Sequence, residues 1–138
     1  MYPKSISSCS SPGGFFGSFN SFEGRGGDDV ISGNGATRVE YTSATGAVTV
    51  DLAAGTARAI DMGDTSVGTD TFTGVNQVRG SSFADTLTGG NSLYNGLEGF
   101  DGRGGNDSID GGQGWDRAEY SFNGAVTTGI TVNLAAGT

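Results

Sequence analysis

The sequence predicts an all-β fold: a right-handed parallel solenoid of short strands joined by glycine-rich turns. Three observations predict it. Residues 102 to 119 read as two nine-residue units in strict tandem, GRGGNDSID and GGQGWDRAE. The chain from Phe22 onward says nearly the same thing twice, with a period of about 80 residues. With 27 glycines, two prolines and a hydrophobic fraction of only 34%, a thick conventional core is excluded.

The tandem units share glycine at positions 1 and 4, aspartate at position 6 (Asp107, Asp116) and a more apolar residue at position 8 (Ile109, Ala118). Their tails alternate polar and apolar residues over three or four positions, which makes short strands. The glycine pairs supply positive φ for tight turns and disfavour any helix longer than one or two turns. If each unit is a turn plus a strand, two units complete one coil and residue i stacks on i+18. Phe100 and Ala118 then stack, with Ile109 facing them from the opposite sheet, and Phe22 and Ile31 play the same parts in the first copy. VTVDL and ITVNL are the stronger strands, with Val48, Val50 and Leu52 on one face.

Taken in order, residues 1–19 are a Ser-, Gly- and Phe-rich arm with neither alternation nor helical spacing. Within it Phe15, Phe16 and Phe19 either cover the open end of a stack or are simply sticky. Residues 20–119 carry the repeats, the first copy from 22 and the second from 100. FEGRGGDDVISGNGATRVEY parallels FDGRGGNDSIDGGQGWDRAEY, and VTVDLAAGT parallels ITVNLAAGT. Between the copies the register continues as GSSFADTLT, and one nine-residue frame carries Asn76, Asp85, Glu98, Asp107 and Asp116, provided about four residues around Gly90 to Leu93 bulge out. Asp51, Asp61, Asp64 and Asp70 fall outside this frame and read as solvated turn residues. Residues 120–138 are a truncated continuation of the second copy, as expected of a fragment of a longer array.

Charge and missing residue types exclude several function classes. Fifteen carboxylates against seven Lys and Arg give a net charge of −8, which repels nucleic acid and anionic lipid and attracts cations. No apolar run approaches a membrane span, and the N-terminus lacks a secretory h-region, so any export signal is expected outside this chain. The absence of histidine removes His-based catalysis and the common zinc sites, and no other catalytic constellation is present. The single Cys9 forms no intrachain disulfide and reads as an exposed thiol.

The tandem units resemble GGxGxDxUx, the calcium-binding nonapeptide of the RTX (repeats-in-toxin, haemolysin-type) family. GGQGWDRAE matches closely, with only a small Ala at the apolar place, and GRGGNDSID is one glycine short. The resemblance implies a calcium-binding β-roll, or parallel β-helix. Its chemistry is sound: strands lie about 4.7 to 4.9 Å apart, and calcium takes six to eight oxygens at about 2.3 to 2.6 Å, so an ion fits between two stacked turns. The expected ligands are Gly111, Gly112, Gln113, Gly114 and Asp116 of the best loop, then Gly102, Gly104, Asn106 and Asp107, with Glu98, Asp85 and Asp29 supplying further carboxylates. The i+18 rule stacks the loop 111–116 on Leu93 to Glu98. It stacks the loop 102–107 on residues 120–125, or on the irregular stretch near Gly89. In the first copy Thr37 takes the place of Asp116, which weakens a site there. Arg25 and Arg103 are expected to pair with surface acids, Trp115 to be an exposed loop side chain, and Asn106-Asp107-Ser108 to be a chance glycosylation pattern. Repelling carboxylates and costly glycines predict a largely disordered chain without calcium.

RTX proteins are typically exported from bacteria, so the resemblance implies a secreted, extracellular protein. The leading expectation is a non-enzymatic calcium-dependent module of an adhesin or toxin-like parent, with a cell-surface or carbohydrate target reached through that parent. The second is an accessory module of an exported hydrolase or lyase whose catalytic domain lies elsewhere. The third is an ice-binding array built on Thr71, Thr73, Thr86 and Thr88.

Overall fold

A computed structural model describes residues 19–91, 97–120 and 131–133, together with the backbone of Ser5–Ile6. The described residues form strands β1 (Ser5–Ile6), β2 (Asn20–Phe22), β3 (Val30–Ser32), β4 (Thr37–Glu40), β5 (Val48–Asp51), β6 (Thr56–Ala59), β7 (Thr69–Thr73), β8 (Gln77–Arg79), β9 (Thr86–Thr88), β10 (Glu98–Asp101), β11 (Ser108–Asp110), β12 (Asp116–Glu119) and β13 (Thr131–Asn133). No helix occurs among them. The fold is all-β, as the glycine spacing requires.

Two sheets share these strands. The larger runs β1-β3-β7-β6-β5-β9-β11-β13 and the smaller β12-β10-β8-β4-β2. Consecutive strands fall in opposite sheets, except that β5, β6 and β7 share the larger one. Pairing is parallel throughout the described residues apart from β5–β6 and β6–β7, which are antiparallel. The wholly parallel expectation is therefore corrected at one place. After β5 the Asp51 carboxylate accepts the Ala54 N–H at 2.9 Å, and Gly55 takes a φ of 65°. This tight turn sends β6 straight back along β5, where a parallel neighbour would have needed a crossover.

The thin core is made of registered columns. In the smaller sheet Phe22, Val39, Val78, Phe100 and Ala118 stack in succession. In the larger sheet Val50, Leu87, Ile109 and Val132 form one column, and Ile31 pairs with Phe72. Phe100, Ile109, Ile31 and Leu87 are almost wholly buried. Val48 and Val50 are buried and Leu52 packs beside them, as the VTVDL alternation requires.

The stacking distance along the chain is less uniform than the i+18 rule. Phe100 and Ala118 obey it. Val78 pairs with Phe100 and Leu87 with Ile109, both 22 residues apart. The four extra residues are the insertion that the sequence demands between Leu87 and Phe100.

Of the arm, Ser5–Ile6 pairs with β3, and Phe19 lies against the Arg38 guanidinium, 5.2 Å from the ring centroid. Cys9, Phe15 and Phe16 lie outside the described residues. Thr71, Thr73 and Thr86 are exposed on the larger sheet, where Arg58, Asp51 and Asp110 interrupt the hydroxyl rows. The smaller sheet instead carries ion pairs, among them Arg38–Glu40 and Arg79–Asp101.

Candidate metal centre

Three turns share one backbone signature, left-handed at positions 2 and 4. The φ values are 63° and 107° at Arg25 and Gly27, 64° and 115° at Arg103 and Gly105, and 76° and 124° at Gly112 and Gly114. The glycine missing from GRGGNDSID thus leaves the turn intact. Arginine adopts the left-handed conformation in its place, at a cost of about 1–2 kcal/mol. The Arg103 side chain does not seek an acid, as the sequence suggested, but donates to the Thr42 carbonyl at 3.3 Å. In all three turns the position-6 carboxylate folds back over the position-1 glycine. A β-carbon at Gly24, Gly102 or Gly111 would collide with Asp29, Asp107 or Asp116 respectively.

The turn from Gly102 to Asp107 lies against Gly80 to Asp85. Asp85 N–H donates to Asp107 Oδ1 at 3.0 Å, and Gly80 N–H to the Asp101 carbonyl at 2.8 Å. The expected stacking near Gly89 is corrected because the four-residue insertion carries the turn to its 22-residue partner, while residues 121–125, the other expected platform, lie outside the described residues. Gly104 faces Ser82, and Asn106 is exposed.

The turn from Gly111 to Asp116 rests on two separate pieces. Its first half meets Gly89 to Asn91: Gln113 N–H donates to the Gly90 carbonyl at 2.9 Å, and a β-carbon on Gly112 would strike that same carbonyl. Its second half meets Glu98, which is registered with Asp116 and donates its N–H to the Trp115 carbonyl at 3.0 Å. Leu93 to Glu98 was the expected platform. Glu98 of it is in contact, and residues 92–96 lie outside the described residues. Trp115 is 82% exposed.

The RTX calcium-binding nonapeptide repeat family model (4 copies) matches residues 17–37, 70–92 and 100–118, which include all three left-handed turns. The chain carries RTX calcium-binding repeats. Such repeats bind Ca2+. No curated protein matches the chain significantly.

The electrostatics of these RTX turns suit a cation. Among the described residues no N–H or hydroxyl donor reaches Asp107 Oδ2 or either carboxylate oxygen of Asp116, all of them buried atoms. What Asp116 meets instead is another carboxyl, Glu98, whose Oε2 accepts the Gly90 N–H at 2.9 Å. Burial raises Glu98, Asp107 and Asp116 above the usual carboxylate range, and the charges of Asp116, Asp101 and Asp110 respectively add to it. Buried anions without donors are costly unless a cation compensates them. Among the described residues no three acidic side chains converge. A hard cation here would draw most of its oxygens from turn carbonyls, so the all-oxygen donor set fits calcium better than a softer metal.

Not every aspartate of the frame resembles these. Asp85 accepts Ser81 N–H at 2.6 Å, Ser81 Oγ–H at 2.6 Å and Val48 N–H at 2.9 Å. Its turn, 80 to 85, contains no left-handed residue. Asp85 is therefore satisfied by protein donors, which sets it apart from the other candidate ligands. Thr37 likewise closes its own turn, accepting Asn34 N–H at 3.1 Å, while its N–H donates to Asn76 Oδ1 at 3.1 Å.

Asp29 is buried and its N–H donates to Asp70 Oδ1 at 3.0 Å. Asp70, expected to be solvated, is itself fully buried and accepts the Tyr41 hydroxyl at 3.1 Å. Burial pushes it up to about 6, with Asp29 and Asp28 adding to the shift. The signal for it was present: TSVGTDTFT places Gly68 at position 4 with φ 79°, Asp70 at position 6 and the buried Phe72 at position 8. This stretch lacks the first glycines and keeps only positions 4, 6 and 8 of the repeat. Asp51, Asp61 and Asp64 do serve turns, accepting the N–H groups of Ala54, Gly63 and Ser66.

Proposed function

We propose that the chain is a non-enzymatic, calcium-binding structural module of an exported RTX-type protein, an adhesin or toxin-like parent working outside the cell. In this reading the two sheets are the walls of a parallel β-roll, and the left-handed turns are its ion-binding edges. The observation that carries it is the stacked pair Glu98 and Asp116, with Asp116 lacking any N–H or hydroxyl donor, inside a turn of the repeat's backbone shape. Asp116 and Glu98, with carbonyls of the Gly111 to Gly114 and Gly89 to Asn91 stretches, hold the first ion. Asp107 with the 102–107 turn holds a second, and Asp29 with Asp70 mark a third edge. Bound calcium neutralises the paired carboxylates and bridges stacked turns.

A calcium titration followed by Trp115 fluorescence tests this reading, because the indole sits one residue from Asp116. Calcium should shift the emission in the wild-type chain, and Asp116→Ala should abolish the transition or move it to much higher calcium. A transition unchanged by the substitution would overturn the assignment.

A further inference from the structure

The three left-handed turns lie at 24–29, 102–107 and 111–116, and the chain between them is built differently. Eleven of the fourteen buried hydrophobic residues fall between Val39 and Leu87. The turns there are closed largely by protein groups, Asp64 Oδ2 being the one buried carboxylate oxygen of the span without a donor among the described residues. Asp85 is held by Ser81 and by Val48 N–H, and Ser81 Oγ also accepts Phe83 N–H at 3.1 Å. Asp64 Oδ1 accepts both Ser66 N–H and the Thr45 hydroxyl, tying two loops together. The strands β5, β6 and β7 form an antiparallel meander whose contacts are short-range in sequence and inexpensive to close. Outside this span Asp107 and Asp116 keep buried oxygens without donors among the described residues.

We propose that residues 37–91 form a calcium-independent platform, folded around the β5–β6–β7 meander and the Ser81–Asp85 turn, and that calcium orders the flanking turns onto it. This inference rests on the calcium-binding reading above. Calcium then regulates the length of the ordered stack rather than the existence of the fold, and Ser81 stands where the three calcium turns have left-handed Arg25, Arg103 and Gly112. The consequence departs from the expectation of a largely disordered chain without metal.

Hydrogen–deuterium exchange of the full chain, read by mass spectrometry in millimolar calcium and in chelator, tests it. In chelator, peptides covering β5, β6, β7 and β9 should exchange at least about tenfold more slowly than an unstructured chain, while those covering β10 to β12 approach the unstructured rate. Calcium should restore protection chiefly to the latter. If the β5–β9 peptides exchange freely in chelator and the whole chain is protected together by calcium, the platform is overturned and the calcium reading stands. If calcium changes protection nowhere, the calcium reading itself fails, and this inference with it. Ser81→Ala should weaken β5 and β9 protection in calcium and chelator alike, and Asp116→Asn only the calcium-dependent part. The opposite pattern would also overturn the platform.

Discussion

At Gly102 the carboxylate of Asp107 occupies the space in which any other residue would carry a β-carbon. Gly102→Ala must displace that carboxylate, at a cost of about 1–3 kcal/mol. Its calcium midpoint, followed by circular dichroism, should therefore rise about tenfold or more. Ser81→Ala removes one hydrogen bond to Asp85 and one from Phe83, and should lower stability by about 1–2 kcal/mol in denaturant titrations, with or without calcium. This is also the scale at which the sequence was only partly legible. Asp107 and Asp116 stood out because glycines at fixed offsets announced their turns. Asp70 did not, since its turn keeps only the fourth-position glycine. Asp85 looked like its neighbours, because an aspartate satisfied by a serine hydroxyl has the same spacing as one awaiting a cation.

Strands and turns set which carboxylates meet. The β10–β12 register puts Glu98 on Asp116, so Glu98→Gln should keep the shape of the edge while removing one charge, weakening calcium binding about tenfold by calorimetry. Within the platform, burial holds Asp85 up to about 6 against an ordinary 3.8, with Asp107 adding to the shift. A folded-state value above the unfolded one gives stability that is full below the unfolded pKa and lost as pH rises through the folded one. In chelator the thermal midpoint should thus climb as pH falls from about 7 to about 4, and Asp85→Asn should flatten that slope. A midpoint that falls over this window would contradict the burial of Asp85. The nine-residue unit predicted the short strands and their buried position-8 columns, because alternation and glycine spacing are local properties. The antiparallel β6 was hidden, because TARA carries no alternation of large residues and its direction depends on one tight turn at Gly55.

Across the whole molecule, the duplication showed that two copies exist but not how they join. Strand β3 of the first copy pairs with β7, 41 residues away in the Ile31–Phe72 pair, because β4, β5 and β6 intervene. Sequence offsets within one copy contain no information about that detour. Six of the fifteen carboxylates, Asp29, Asp70, Asp85, Glu98, Asp101 and Asp107, are buried by the fold. The central claim is that the turns ending in Asp107 and Asp116 are the ion-binding edges. Calcium calorimetry on the wild-type chain and on Asp107→Asn/Asp116→Asn, with magnesium in the buffer, tests it most directly. The wild type should bind calcium despite the magnesium, and the double variant should lose most of that heat and stoichiometry. Equal stoichiometry and affinity in the two proteins would contradict it.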